Sequence, residues 1–246
     1  MELLPAWLAI AGCSMNRIHL FPTLICCENY QDAQTFKELI FDTIYDHLTE
    51  DGYSDELTGH LTLQLDNRYA GFYKFVTKSA MEYVACLDID PNIYDYNIVK
   101  SWFNITKKRN NPVHSHADAH LSFVYYINTP DTAKKMLCFF SKHCPNELYS
   151  GMYHRVQGHN LENSTSWSLE VNEGEIYLFP ANLHHGVLAS RGDIKYGEIQ
   201  NADDKDQPIR KLKKFRAAIA GDIVLTHKDK AAVSMGLQPI KNWRTF

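Results

Sequence analysis

The sequence predicts a mainly β fold of the α+β class, in which helices come first and a sandwich or jelly roll of short strands follows. Apolar residues recur at helical spacing in the first hundred residues, and the hydrophobic period changes to two from about Ile98 onward. Turn signals then separate many short apolar runs, which favours antiparallel strands over parallel βαβ units. Because no repeat, low-complexity tract or Gly/Ser linker occurs, we expect one domain at 15–246, with helical support at about 15–97 and the β core at about 98–226.

Two amphipathic helices are expected before the β core. Residues 30–48 place Phe36, Ile40 and Ile44 on one side, and the Asp-Gly pair at 51–52 is a stop signal. Residues 72–87 form the second candidate, again with apolar and aromatic side chains roughly on one side. Both would support the strands that follow.

Seven segments of the second half are predicted strands, because they are short and mostly rich in β-branched and aromatic residues. They are residues 99–105, 119–128, 135–140, 166–171, 175–179, 186–189 and 215–225. Turn signals bound them, including Asn-Asn-Pro at 110–112 and Asn-Glu-Gly at 172–174.

Charge and cysteine content narrow the function classes. A net charge of -4 with a pI near 6.3 gives no electrostatic footprint for nucleic acid or an anionic membrane. The six cysteines show no zinc or disulfide spacing, so we interpret them as reduced thiols of a cytoplasmic protein. Residues 1–14 are apolar but lack a cationic region and are too short to span a bilayer, so they are expected to be an unstructured or loosely packed leader.

The histidines point to a metal centre. Of twelve, His114, His116 and His120 surround Asp118, and His185 follows a predicted strand. Two imidazoles and one carboxylate on one face of a metal leave three positions open for a chelating cosubstrate and dioxygen. On a strand, residues 116 and 118 would point the same way, so His116, Asp118 and His185 are the predicted ligands. The alternative is a polar loop at 114–120 with no ligand role.

Several segments resemble a 2-oxoglutarate/Fe(II) oxygenase family that is common in bacteria and bacteriophages. The central motifs are SWFN at 101–104, HSH at 114–116 and SFVYY at 122–126, and further likeness occurs at 175–187 and 215–220. The segment at 175–187 implies His185, not His184, as the distal ligand. The resemblance implies a double-stranded β-helix, which is a cupin-like jelly roll, with Fe(II), 2-oxoglutarate and O2. The implied reaction is hydroxylation of a C–H bond with release of succinate and CO2.

The cosubstrate needs a cation for its distal carboxylate, and Arg216 is the first candidate because guanidinium binds carboxylate bidentately. Tyr126 is expected to share the face of His116 and Asp118 if one strand runs unbroken through all three, and likeness to prolyl hydroxylases implies that it contacts the cosubstrate. Asn104 is a further candidate to hydrogen-bond the cosubstrate or a metal-bound water.

The sequence also departs from the family pattern. Phe123 replaces a glycine and Ala218 a serine, and the longer interval after His185 makes Arg191 and Lys195 alternatives to Arg216 as the carboxylate partner. The family position that matches Asp118 is not always acidic, so a ligand set in which His114 replaces Asp118 or His116 stays open.

The sequence leaves two other classes of protein open. A cupin-like metalloenzyme without 2-oxoglutarate would bind Zn, Mn or Ni through His114, His116 and His185, with Asp118 orienting one of them. A jelly-roll binding protein would need no metal at all. For the oxygenase, a small molecule or a peptide is the expected substrate, and a homodimer is left open.

Overall fold

The computed structural model describes residues 22–50, 56–58, 61–106, 111–129, 135–141, 160, 163–187, 216–228 and 236–245. These ranges contain two α-helices, α1 (Ala33–Glu50) and α2 (Ala70–Cys86). They also contain ten strands: β1 (Cys26–Asn29), β2 (Glu56–Thr58), β3 (Tyr94–Thr106), β4 (Asn111–His114), β5 (Leu121–Asn128), β6 (Lys135–Phe140), β7 (Ser166–Glu170), β8 (Glu175–Pro180), β9 (His184–Val187) and β10 (Arg216–His227). No helix in this part of the chain has the length and apolarity that crossing a bilayer requires.

The strands form two antiparallel sheets. The larger has the order β1-β8-β5-β10-β3-β2, and the smaller has the order β4-β9-β6-β7. Most neighbours in the two sheets are not consecutive along the chain, as β5 and β10 show, whereas β2–β3 and β6–β7 are consecutive pairs. This long-range antiparallel pairing in two sheets is the jelly-roll arrangement that the sequence predicts.

Each face of the larger sheet has its own apolar core. On one face, Phe36 and Ile40 of α1 and Phe72 of α2 pack with Phe103 and Tyr125 of the sheet. The rings of Phe36 and Phe72 are stacked, with centroids 4.4 Å apart. Burial of these apolar side chains attaches both helices to the sheet.

The other face of the larger sheet contacts the smaller sheet. Tyr126, Phe179 and Ala218 from the larger sheet form one buried cluster with Leu137 and Phe139 of β6. Side chains alternate between the two faces of a strand, so every second residue of β3, β5 and β10 points into the space between the sheets.

Cross-strand pairing places the inward-facing residues in rows. Ala218 pairs with Asn104 on β3 and with Tyr126 on β5. Four residues further along β10, Asp222 pairs with Lys100 and Ser122. Because directly paired residues share a face, all these side chains face the smaller sheet.

The predicted mainly β fold with two supporting helices is confirmed, but β1, β2 and β4 are strands that the sequence does not predict. The other differences lie at element boundaries. The turn predicted at 110–112 overlaps β4, which begins at Asn111. The strand predicted from 119 begins at Leu121, and the strand predicted from 186 begins two residues earlier, at His184. Residues 1–21, including the predicted leader, lie outside the described part, so the domain limits stay a prediction.

Candidate active site

Three histidines converge between the sheets. His114 ends β4 and pairs directly with His185 of β9, so both side chains leave the same face of the smaller sheet. His116 lies in the loop between β4 and β5, where its backbone N–H donates to the Ala181 carbonyl at 2.8 Å. One ligand atom from each of the three imidazoles lies within 4.8 Å of the others. We call this group the histidine cluster.

Hydrogen bonds determine which ring nitrogen each histidine offers. His114 Nδ1 lies 2.7 Å from the Pro112 carbonyl oxygen, and His185 Nδ1 lies 2.8 Å from that of Leu183. A carbonyl can only accept, so each Nδ1 carries the proton and donates it. The Nε2 lone pair of both rings is then available to a metal, which is the usual arrangement of an outer-shell acceptor behind a metal-binding histidine.

His185 is the most enclosed member of the cluster. It is 8% exposed, and the centroids of the Phe179 and His185 rings lie 4.7 Å apart. Burial lowers the pKa of His185 to about 4, so this imidazole is neutral at neutral pH. Only the neutral form has the lone pair that binds a metal.

His116 donates to a carboxylate instead of a carbonyl. Its Nδ1 lies 2.5 Å from Oδ1 of Asp222, a residue with no exposed surface. Ser122 Oγ donates to the same oxygen at 2.6 Å, and Lys100 Nζ lies 3.0 Å from Oδ2. Burial alone would raise the pKa of the Asp222 carboxyl, but the hydrogen bonds from His116 and Ser122 and the Lys100 cation outweigh burial and lower it. The carboxylate is therefore ionised and acts as the acceptor.

Asp222 is the functional candidate that sequence reasoning missed. The available signal is a single acid within the apolar stretch from Ile219 to Leu225, since an ionisable residue inside a buried strand needs a charged or hydrogen-bonding partner. The partner cannot be read from the sequence, because His116 lies 106 positions away.

Asp118 lies outside the histidine cluster. Its side chain is 77% exposed, and its carboxylate lies 3.5 Å from Lys100 Nζ. The condition under which Tyr126 would share the face of His116 and Asp118, one unbroken strand through all three, is not met, because the chain forms a loop after His114 and β5 begins only at Leu121. The structure thus brings His116 and His185 together with His114, and the ligand role of Asp118 stays a prediction.

Tyr126 and Arg216 lie on the inward face of the larger sheet. Tyr126 has no exposed surface, and its hydroxyl has no hydrogen-bond partner among the described residues. Burial raises the pKa of Tyr126, and the nearby positive charge of Arg216 acts in the opposite direction. A buried hydroxyl without a partner is costly, and together with a 6%-exposed guanidinium it forms a polar site that suits a carboxylate.

The remaining residues singled out in the sequence lie on different faces of the larger sheet or outside the described residues. Asn104 is half-buried and shares the inward face with Tyr126 across Ala218. Phe123 packs in the helix-facing core, so this departure from the family pattern lies on the opposite face from Tyr126. Arg191 and Lys195 lie outside the described residues.

His120 and Trp102 also border this region. His120 Nδ1 accepts a hydrogen bond from the Leu225 backbone N–H at 3.1 Å, which ties the loop to β10. The half-buried Trp102 ring lies 5.8 Å from that of His116.

Comparisons with known proteins agree with this geometry. The model of the family described as "Putative 2OG-Fe(II) oxygenase" matches residues 100–195, which include all three histidines of the cluster. No curated protein matches the chain.

Solved structures are similar in fold at low sequence identity. The α-ketoglutarate-dependent carbocyclase SnoK from nogalamycin biosynthesis is 8% identical, with 89% of each chain covered and a TM-score of 0.50. A Pseudomonas putida prolyl-4-hydroxylase is 11% identical, with 82% of this chain and 92% of that chain covered and a TM-score of 0.49. HygX from Streptomyces hygroscopicus, solved with nickel and 2-oxoglutarate, is 8% identical, with 88% and 92% covered and a TM-score of 0.47.

The likeness to the carbocyclase supports the double-stranded β-helix fold. The family match covers the segment that supplies the histidine cluster and most of the inter-sheet core. The resemblance predicted from the sequence is thus confirmed: residues 100–195 match the model of a family of 2OG-Fe(II) oxygenases, which are enzymes that use Fe(II), 2-oxoglutarate and O2.

Proposed function

We propose that this chain hydroxylates a C–H bond of a small molecule or a peptide, with Fe(II) held by His114, His116 and His185. The observation that carries the proposal is the convergence of three imidazoles whose Nδ1 atoms all donate to acceptors, so that each offers Nε2. When bound, Fe(II) with 2-oxoglutarate and O2 supplies the oxidation of an unactivated C–H bond, and succinate and CO2 are released. This ligand set is more specific than the family match. Three ligands on one face of the metal leave positions for the cosubstrate and dioxygen.

The chain's own residues would bind the metal and shape the space around it. Neutral His185 presents a lone pair in a position that the Phe179 ring shields from water. His114 lies on the exposed side of the cluster, which leaves this side open to a substrate. Trp102, half-buried near His116, contributes an apolar surface beside the metal position.

The cosubstrate site is proposed at Arg216 and Tyr126. The distal carboxylate of 2-oxoglutarate would accept from the Arg216 guanidinium and from the Tyr126 hydroxyl, which gains the partner that it lacks among the described residues. Ala218 lies between Tyr126 and Asn104 and, being small, leaves room for the cosubstrate chain. Asn104 is the proposed additional polar contact.

An assay of 2-oxoglutarate turnover tests the proposed function. Purified protein with Fe(II), ascorbate and 2-oxoglutarate should bind the cosubstrate and form succinate slowly even without its substrate, and candidate peptides and metabolites should increase this rate. His185→Ala should abolish succinate formation both without and with substrate. Asp66→Asn, at an ion pair in the turn before α2, should retain it. Wild-type protein that binds Fe(II) but neither binds 2-oxoglutarate nor forms succinate would contradict the proposal.

A second candidate follows from one observation. Three histidines with no ligating carboxylate among the described residues also suit a cupin-like metalloenzyme that binds Zn, Mn or Ni and does not use 2-oxoglutarate. Binding of 2-oxoglutarate to the metal-loaded protein separates the two, since the second candidate requires none. The cytoplasmic location and the homodimer stay predictions.

A further inference from the structure

The strongest unexplained feature next to the site is the buried carboxylate of Asp222. It contacts His116, Ser122 and Lys100, and none of its surface is exposed. Neither the family match, which ends at residue 195, nor the fold assigns it a role.

Local backbone geometry aims this carboxylate at the cluster. The register between β10 and β3 shifts between Asp222 and Ile223, which is a β-bulge or an equivalent irregularity. Bulges re-aim side chains and are frequent beside active sites. On the other side, the register between β10 and β5 is unbroken from Ala218 to Ile223, so Asp222 stays opposite Ser122 and receives its hydroxyl hydrogen bond.

The acceptor behind His116 differs in charge from those behind its two neighbours. His114 and His185 donate to neutral carbonyls, and His116 donates to an anion. Hydrogen bonds with an ionised partner are shorter and about twice as strong as neutral ones. A carboxylate behind a metal-binding histidine also fixes the tautomer and raises the basicity of the ligand nitrogen.

This difference matters because three imidazoles carry no negative charge. A two-histidine, one-carboxylate set places one anionic oxygen on the metal, and the proposed set places none. Asp222 brings a negative charge within one hydrogen bond of the ligand set. Lys100, bound to the other carboxylate oxygen, holds Oδ1 toward His116.

From this geometry we infer that Asp222 is a positioning residue of the proposed metal centre: it orients His116 and supplies, through that imidazole, the negative charge that a three-histidine ligand set lacks. The inference rests on the proposed function. It requires that loss of the negative charge changes the metal site itself, in addition to any effect on folding. A purely structural ion pair between Asp222 and Lys100 would instead make both partners equally important.

Cobalt titration of the metal-free protein tests it, because Co(II) occupies Fe(II) sites and its visible absorption reports on the ligand field. Asp222→Asn should bind Co(II) about 10- to 100-fold more weakly than wild type, and its saturated spectrum should be shifted. Lys100→Met leaves the bond from His116 to the carboxylate intact and should show a much smaller loss and the wild-type spectrum. Asp66→Asn controls for an aspartate-to-asparagine change elsewhere and should match wild type.

Each result supports or overturns the inferred role of Asp222. Wild-type affinity and spectrum in Asp222→Asn, or equal losses in Asp222→Asn and Lys100→Met, would overturn the inference while leaving the metal centre in place. If wild-type protein binds no Co(II), the metal centre and the inference both fail. Should Asp222→Asn not fold, the decision passes to Ser122→Ala, which removes one hydrogen bond to the carboxylate: a weaker affinity with a shifted spectrum supports the role, and wild-type behaviour overturns it.

Discussion

At the scale of single residues, the hydrogen bond that each Nδ1 donates leaves the Nε2 atom of all three histidines to bind a metal. His114 and His185 are separated by 71 positions but lie opposite each other in the β4–β9 ladder. Each uses a carbonyl two residues before it as acceptor, Pro112 for His114 and Leu183 for His185. This shared local geometry orients both rings before a metal arrives, so metal binding costs little side-chain entropy.

The first prediction concerns the identity of the third ligand. His114→Ala should reduce Co(II) or Fe(II) affinity by more than the roughly 100-fold that loss of an outer-shell partner costs, because it removes a nitrogen of the cluster. Asp118→Ala should leave the affinity close to wild type, since this carboxylate is 77% exposed and contacts Lys100. Metal content after dialysis and calorimetric titration measure both. The reverse order of effects would establish Asp118 as the ligand instead.

The second prediction uses the hydroxyl of Tyr126, which has no hydrogen-bond partner among the described residues. Tyr126→Phe should raise the KM for 2-oxoglutarate roughly 2- to 10-fold, the equivalent of a net hydrogen bond of about 0.5–1.5 kcal/mol. The same change should stabilise the cosubstrate-free protein, because a buried hydroxyl without a partner costs about 1–3 kcal/mol.

Steady-state kinetics and thermal unfolding measure the two effects of this variant. Tyr125→Phe is the matched control, since Tyr125 lies next in the chain but packs in the helix-facing core, and it should leave the KM unchanged. A destabilised Tyr126→Phe with an unchanged KM would show that the hydroxyl is a structural group.

Sequence patterns predict residue types better than residue partners. His116 and His185 could be selected as candidate ligands, because His116 lies in a motif and His185 follows a predicted strand. The predicted position of Asp118 depended on a strand that the chain does not form. Asp222 could not be assigned from the sequence, because its partners Lys100, His116 and Ser122 are all at least 100 positions away. Long-range register, which sets these contacts, is absent from a local pattern.

At the scale of elements, β10 connects the two halves of the site. Its inward-facing residues include Arg216 and Ala218 at the proposed cosubstrate site and Asp222 at the histidine cluster. Both neighbours of β10, the strands β3 and β5, also contribute inward-facing residues. The sequence predicted this strand to within two residues at its C-terminal end, since its apolar, β-branched run is continuous, but it could not predict which strands flank it.

The third prediction concerns Gly221, where β10 passes under an aromatic ring. A Cβ at this position would lie 2.5 Å from the Phe123 ring and 2.8 Å from the Lys100 carbonyl oxygen. Gly221→Ala should therefore destabilise the protein by about 1–3 kcal/mol, as overpacking does. It should also weaken metal binding, because Asp222 is the next residue and would be displaced with the strand.

Gly71→Ala is the matched control for Gly221→Ala. A Cβ there would meet only the Tyr30 hydroxyl, at 3.8 Å, and alanine favours helix α2. Thermal or urea unfolding of both variants gives the comparison, with Gly71→Ala expected at or slightly above wild type. Equal stability of the two variants would show that Phe123 can move aside without cost.

At the scale of the whole molecule, the histidine cluster joins the two sheets. His114 and His185 belong to the smaller sheet, and His116 is tied to the larger sheet through Asp222 and Ser122. On the opposite face of the larger sheet, the aromatic core with α1 and α2 has no part in the cluster. The site thus lies where the two sheets meet, and the helices support one of them from behind.

The last prediction follows from this bridging position. A metal that binds all three imidazoles crosslinks the sheets in the folded state only, so it should stabilise the protein by mass action, by about 2.7 kcal/mol at a free concentration 100 times the Kd. For a chain of this size that corresponds to a rise in Tm of about 5–11 °C. Differential scanning fluorimetry with Co(II) or Ni(II) measures the rise, and a chelator should reverse it. His185→Ala should remove the response because it withdraws the most buried ligand, whereas an equal rise in this variant would place the stabilising metal elsewhere in the protein.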